Sequence, residues 1–189
     1  IRPGLCRPGT RVPGCFDVFE MAARAVLGQQ ITVRAAGTLA GRIAGAFGVP
    51  VVTGVDGLTR TFPPPEAILP LEGGAERRLG ELGVISARAA AMRTIAEKLV
   101  KREINLGLCP SPKEEIKKLL EIRGVGSWTA CYIAMRAMSW TDAFLETDAG
   151  IKKALAGYTP KELLKMSEEW KPWRSYATVN IWNSLYKED

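Results

Sequence analysis

Histidine is absent from this 189-residue sequence, so any proton transfer has to fall to carboxylates, lysine, tyrosine or cysteine. Cysteine is sparse as well: Cys6, Cys15, Cys109 and Cys131 stand far apart, without a CxxC pair. Scattered in this way they argue against a zinc site or an iron–sulfur cluster, and Cys131, inside an apolar run, reads as a small core residue. No apolar run approaches the ~20 residues of a membrane span, and no signal peptide stands at the start. The chain opens on Ile1 and not on methionine, which reads as a fragment or a trimmed chain. A soluble, intracellular protein is expected. Strand-like alternation is missing too, and no repeat of solenoid period is present.

What is present is helical. Apolar residues make up 47% of the chain, enough for a globular core and too much for a disordered segment. The length suits one domain, or one domain with a small appendage. Lys and Arg outnumber Asp and Glu by 26 to 20, a balance that suits a polyanionic partner. Residues 1–16, rich in proline and glycine, read as an extended leader lying on the body, and 17–189 as the domain proper. From Asp17, a plausible cap, Val18, Met21, Ala22, Ala25 and Val26 form one stripe, and Gly28 interrupts it. A small-residue helix follows, with Thr32 as its cap. Residues 48–68 read as a loop with one turn of strand. Ser86 is expected to cap a strong helix, and Ser111-Pro112 and Thr159-Pro160 each pair a cap with proline at the first helical position.

The stretch "LEIRGVGSWTACYIAMRAMSWTDAFLETDAGIKKAL" concentrates the chemistry. One helix is expected to end near Leu120 and the next to start with Ser127 as cap, with Gly124-Val125-Gly126 turning between them. Two glycines permit positive φ, and the amides of a new helix make an anion site; a phosphate is one occupant, and a ligand-free turn is the other reading. Trp128 and Tyr132 are i and i+4, so their rings share a face, as core or as a stacking platform. Trp140, Trp170 and Trp173 read as core or helix-packing residues. Asp148 precedes "AGIKKAL" and fits a helix N-cap.

These residues carry a resemblance. "LEIRGVGSWTA" resembles the hairpin of the helix-hairpin-helix DNA glycosylase superfamily, whose pattern L-P-G-[IV]-G-x-x-[TS]-A is followed by an aspartate matching Asp148. "RAVLGQQ", "DAFLETDAGIKKAL" and "EEWKPWRSYATVNIW" resemble segments of its bacterial 3-methyladenine DNA glycosylase II (AlkA-type) branch, and the likeness runs from residue 12 to 186. Arg123 and Leu145 depart from it, each standing where proline is common.

The resemblance implies an all-α helix-hairpin-helix glycosylase fold, with two helical subdomains flanking a base-binding cleft and the hairpin at about 113–138. The β-rich N-terminal domain usual in that branch has no counterpart in these residues. It implies a monofunctional enzyme that flips out and hydrolytically excises alkylated bases, such as 3-methyladenine and 7-methylguanine, leaving an abasic site. Members that also cut the backbone carry a Schiff-base lysine where Trp128 stands, and an indole forms no imine. Asp148 becomes the catalytic carboxylate, and Trp128, Tyr132 and Trp182 line the base pocket, where electron-rich rings suit a cationic purine. Gln30, on a loop with Gln29, takes the place of the wedge that fills the vacated stack, a leucine in much of that branch; the alternative is a glutamine paired with loop backbone. Gly124, Gly126 and Thr129 are expected at the DNA, with a Na or K ion held by the carbonyls of Leu120, Ile122 and Val125. No redox or organic cofactor is implied. The expected partner is double-stranded DNA containing damaged bases, met by a monomer in the bacterial cytoplasm at the nucleoid. The rivals are a monofunctional glycosylase for deaminated or oxidised bases, and a non-catalytic DNA-binding module.

Overall fold

The computed structural model describes residues 7–186; the first six residues of the leader, Cys6 among them, lie outside the described residues. Ten α-helices are found among the described residues, joined by turns and by longer loops at 48–64, 101–111 and 137–148. They are α1 (Val18–Leu27), α2 (Val33–Phe47), α3 (Pro65–Ile68), α4 (Ala75–Glu81), α5 (Ser86–Val100), α6 (Pro112–Leu120), α7 (Ser127–Arg136), α8 (Ala149–Ala154), α9 (Pro160–Ser167) and α10 (Arg174–Asn183). The nearest thing to a strand is one antiparallel bridge between Pro50 and Arg60, inside the loop read as a strand turn. The end of that loop is helical instead, where Pro65 supplies the preset φ of a first helical position in α3.

Local chemistry sets most of the boundaries. Asp17 accepts the Glu20 amide at 2.6 Å and Thr32 accepts the Ala35 amide at 3.2 Å, while Thr159 and Glu162 close a reciprocal capping box. Two expected caps are displaced. Ser86 and Ser127 are themselves the first helical residues, because the backbone leaves its extended conformation one residue earlier, at Ile85 and Gly126. Ser111 occupies the cap position of α6 but makes no side-chain capping bond.

Two apolar cores divide the molecule. The first draws on α1 to α7 and includes Phe19, Leu27, Ile43, Met92, Ile95 and Ile133. The second joins the end of α7 to α8, α9 and α10 through Met135, Leu145, Ile151, Leu163, Trp170 and Ile181. Helix α7 is the seam. Ile133 and Met135 are two residues apart, about 200° around the helix, and each is fully buried in a different core. Tyr132 and Trp140 pack against both. The leader returns across the second core: Val12 packs on it, and the Arg7 amide and Thr10 hydroxyl donate to Asn180 Oδ1 at 2.9 and 3.2 Å. Among the described residues no helix is long and apolar enough to cross a membrane.

Candidate active site

The hairpin between α6 and α7 closes when the Val125 amide bonds the Ile122 carbonyl at 3.0 Å. Gly124 takes φ +92°, the left-handed region a side chain would strain, and its Cα faces α5, 3.5 Å from Ala87 O and Ala91 Cβ measured from where a Cβ would be. Gly126 is different from the expectation: its φ of −92° and ψ of 176° are open to any residue, and a Cβ there meets nothing within 4 Å. The missing side chain at 126 leaves the approach to α7 open from solvent. The first intrahelical bond is Ala130 N to Gly126 O at 3.0 Å, so the amides of Ser127, Trp128 and Thr129 lie ahead of it, with no side-chain cap. That is the arrangement of an anion site. Arg123 stands exposed beside it in the place of the usual proline, and Leu145, the other departure, is a fully buried core residue.

On the other side of α7 the rings and the carboxylate meet. Asp148 caps α8, its Oδ1 accepting the Ile151 amide at 3.0 Å. The same oxygen accepts Trp182 Nε1 at 2.8 Å, and Oδ2 accepts Trp128 Nε1 at 3.0 Å. Capping α8 leaves Oδ2 of the same side chain to the Trp128 indole, so the cap does not compete with the role implied by the resemblance. Trp128 stacks on Tyr132 with centroids 5.0 Å apart and planes 10° from parallel, while Tyr132 and Trp182 are 6.4 Å apart and tilted by 49°. Sandwiching a flat base takes two stacking distances, about 7 Å in all. A base therefore has to lie on an outer face of this cluster or part Trp182 from Tyr132. Arg136 Nη1 donates to the Tyr132 hydroxyl at 3.1 Å and fixes the far end of the ring.

The segment that delivers Asp148 is tied to α10. Arg174 grips Asp142 with two bonds of 2.7 and 2.8 Å, and the buried Ser175 hydroxyl accepts the Ala143 amide and donates to Trp140 O. Since Trp182 also rides on α10, one helix anchors both the loop and one indole donor. Cys131 packs against this second core, and burial, with the charge of Glu146 behind it, pushes its thiol up to about 11. It is a packing residue and no nucleophile. Trp170 packs edge-on against Phe144, as expected of core, but Trp173 is 57% exposed, with an edge contact to Tyr176. It caps α10 and so stands at the surface.

The structure brings Trp128, Tyr132, Trp182 and Asp148 together, and puts Leu120, Ile122 and Val125 around one turn. Thr129 needs correction: it is 2% exposed and its hydroxyl accepts Gln29 Nε2 at 2.9 Å, so its side chain faces the interior and not a DNA surface. Gln29 and Gln30 part company as well. Gln30 is exposed, whereas Gln29 is half-buried, its amide also donating to Gly124 O at 2.8 Å. Sequence reasoning did not find the roles of Gln29, Arg88, Gly150 or the Asp142–Arg174 pair. Only Gly150 left a signal, a glycine two residues after the carboxylate.

Comparison with known proteins fits this geometry. No protein-family model matches the chain. It is 35% identical over 181 residues to DNA-3-methyladenine glycosylase 2 of Escherichia coli K12, covering 96% of this chain and 62% of that protein. A 3-methyladenine DNA glycosylase from Archaeoglobus fulgidus superposes with a TM-score of 0.71 at 26% identity, over 90% of this chain and 58% of that one. The Schizosaccharomyces pombe 3-methyladenine DNA glycosylase, solved with abasic DNA, shares the fold at a TM-score of 0.71 and 23% identity, over 96% and 88% of the two chains. The chain thus spans about three-fifths of the length of the Escherichia coli relative. By its hairpin and its relatives the chain is similar to the 3-methyladenine DNA glycosylases, and it shares the fold of the helix-hairpin-helix DNA glycosylases.

Proposed function

We propose that this chain is a monofunctional DNA glycosylase that flips an alkylated purine out of duplex DNA and cleaves its glycosidic bond with water. The observation that carries the reading is the Asp148 carboxylate, held between the indole N–H groups of Trp128 and Trp182. As the C1′–N bond breaks, its electron pair goes to the base and positive charge develops on the sugar. Asp148 stabilises that charge, orients the water and takes up its proton as the oxygen bonds to C1′. A base such as 7-methylguanine is already cationic and leaves neutral, so the step needs no acid, in keeping with a chain without histidine. Its charge also favours stacking on Trp128, Tyr132 and Trp182, by roughly 0.5–2 kcal/mol per ring. With tryptophan at 128 there is no amine for an imine, and strand cleavage is not expected.

The hairpin amides bind a phosphate of the duplex, and the carbonyls of Leu120, Ile122 and Val125 hold a monovalent cation beside it. Gln30 fills the space the flipped base vacates. The protein works as a monomer at the bacterial nucleoid. The relative in Escherichia coli is named for 3-methyladenine, which favours alkylated over oxidised or deaminated bases. The test is chromatography of the bases that the purified chain frees from methylated DNA, followed by a panel of single-lesion oligonucleotides. Release of 3-methyladenine or 7-methylguanine is expected; release of none, or of hypoxanthine or 8-oxoguanine alone, refutes the substrate class.

A further inference from the structure

We propose that Gln29 is a positioning residue that locks Gln30 to the phosphate-binding hairpin, so that gripping the backbone and probing the stack happen in one rigid unit. This rests on the reading above that Gln30 enters the vacated space. Gln29 spends both hydrogens of its amide across the hairpin, one on Gly124 O at 2.8 Å and one on Thr129 Oγ1 at 2.9 Å. Its partners lie 95 and 100 residues away in sequence, one in the turn and one in the first turn of α7. They belong to the segment whose amides face the anion site. The Gln29 carbonyl is held separately, by the guanidinium of Arg88 near the start of α5.

The next residue is Gln30, exposed and at φ +55°, a conformation that residues other than glycine seldom take. Two residues further on, Thr32 is fixed by its cap on α2. Gln30 therefore stands between two pinned points, its exposed side chain presented at a fixed offset from the hairpin. A duplex held at the hairpin is in register with Gln30 only while Gln29 keeps these bonds. If the clamp loosens, opening a paired base slows, whereas a base that is already unpaired has nothing to open.

The test compares one lesion in two duplexes, paired normally or unpaired in a single-nucleotide bulge, by single-turnover release. Gln29→Met keeps length without donors, and Gln29→Glu sets a carboxylate against the Gly124 carbonyl while the Thr129 hydroxyl has to turn from acceptor to donor. Both are expected to lower release from the paired duplex about tenfold, the scale of losing two hydrogen bonds. Release from the bulge should stay within about twofold, since the bonds to Asp148 are untouched. Arg88→Met frees the same residue from outside and should show a smaller loss of the same kind, which covers a Gln29 variant that fails to fold. Gln30→Ala separates the two ideas. If it leaves paired-duplex release unchanged, the wedge reading fails and this proposal with it. If it gives the paired-only loss but the Gln29 and Arg88 variants leave paired release unchanged, or lower both substrates equally, the clamp is refuted and the wedge stands.

Discussion

Gly150 sits second in α8, and the space over it is filled by the site. A Cβ at 150 would lie 2.9 Å from Trp182 Cδ1, 3.1 Å from Trp182 Nε1 and 3.0 Å from Asp148 Oδ1. Carbon contacts relax toward about 3.5–4.0 Å, so in Gly150→Ala the indole has to retreat by most of an ångström. The Trp182 Nε1 to Oδ1 bond, 2.8 Å in the native chain, does not survive that retreat. A hydrogen bond to a charged group is worth about 1.5–3 kcal/mol, which translates to a loss of about ten- to a hundredfold in the rate of base release. Stability should barely register the change. Alanine is favoured over glycine within a helix by about 0.5–1 kcal/mol, which offsets the repacking. The melting temperature is therefore expected within about 4 °C of the native value. The assay is single-turnover release from a duplex holding one 7-methylguanine, beside a thermal melt. Repeating it in a Trp182→Ala background closes the cycle: alanine lacks both ring atoms that the new methyl strikes, leaving only the contact with Asp148 Oδ1, so the second substitution should cost less there than in the native chain. Native release by Gly150→Ala would refute the reasoning. So would equal losses in both backgrounds, for then the indole contact is not what the methyl disturbs.

Asp148→Asn keeps the shape and most of the capping of α8; base release is expected to fall at least about a hundredfold with duplex binding little changed, and activity within about threefold of native would remove the carboxylate from the mechanism. Gly126→Asp meets no clash but sets a negative charge among the hairpin amides, so all duplexes should bind more weakly, damaged or not, with a shallower salt dependence; an unchanged salt slope in a binding titration would dissociate the hairpin from phosphate. Asp142→Ala leaves the Arg174 guanidinium, 13% exposed, to its longer 3.5 Å pair with Glu168, and should cost about 1–3 kcal/mol in denaturant unfolding, less than the value for a wholly buried pair that loses its partner; a cost under about 0.5 kcal/mol, the scale of an ordinary surface change, would mean the pair holds nothing in place.

The sequence by itself settled much of what is decided within one helical turn, although Ser86, Ser111 and Ser127 make no capping bond. Asp17, Thr32 and Thr159 announce helix starts because a short oxygen-bearing side chain reaches an amide three residues on, and each does so. Gly124 announced the turn, since its φ of +92° excludes other residues. Asp148 before "AGI" was legible as a cap for the same local reason, whereas the chemical role proposed for it came from the resemblance. Spacing alone put Trp128 and Tyr132 on one face, and they stack there. What only the tertiary structure decided are meetings across long stretches of chain: Trp182 with Asp148 over 34 residues, and Gln29 with Thr129 over 100. A polar side chain looks the same in sequence whether it faces solvent or a buried partner, so Gln29 and Thr129 read as surface residues, whereas Thr129 is buried and Gln29 half-buried. Burial on two sides also defeats periodicity. Helix α7 sends Ile133 into one core and Met135 into the other, leaving no single stripe to read. The closeness of Gly150 to Trp182 is the same case: whether a missing methyl matters depends on which ring the fold brings over it, and α10 supplies that ring from the far end of the chain.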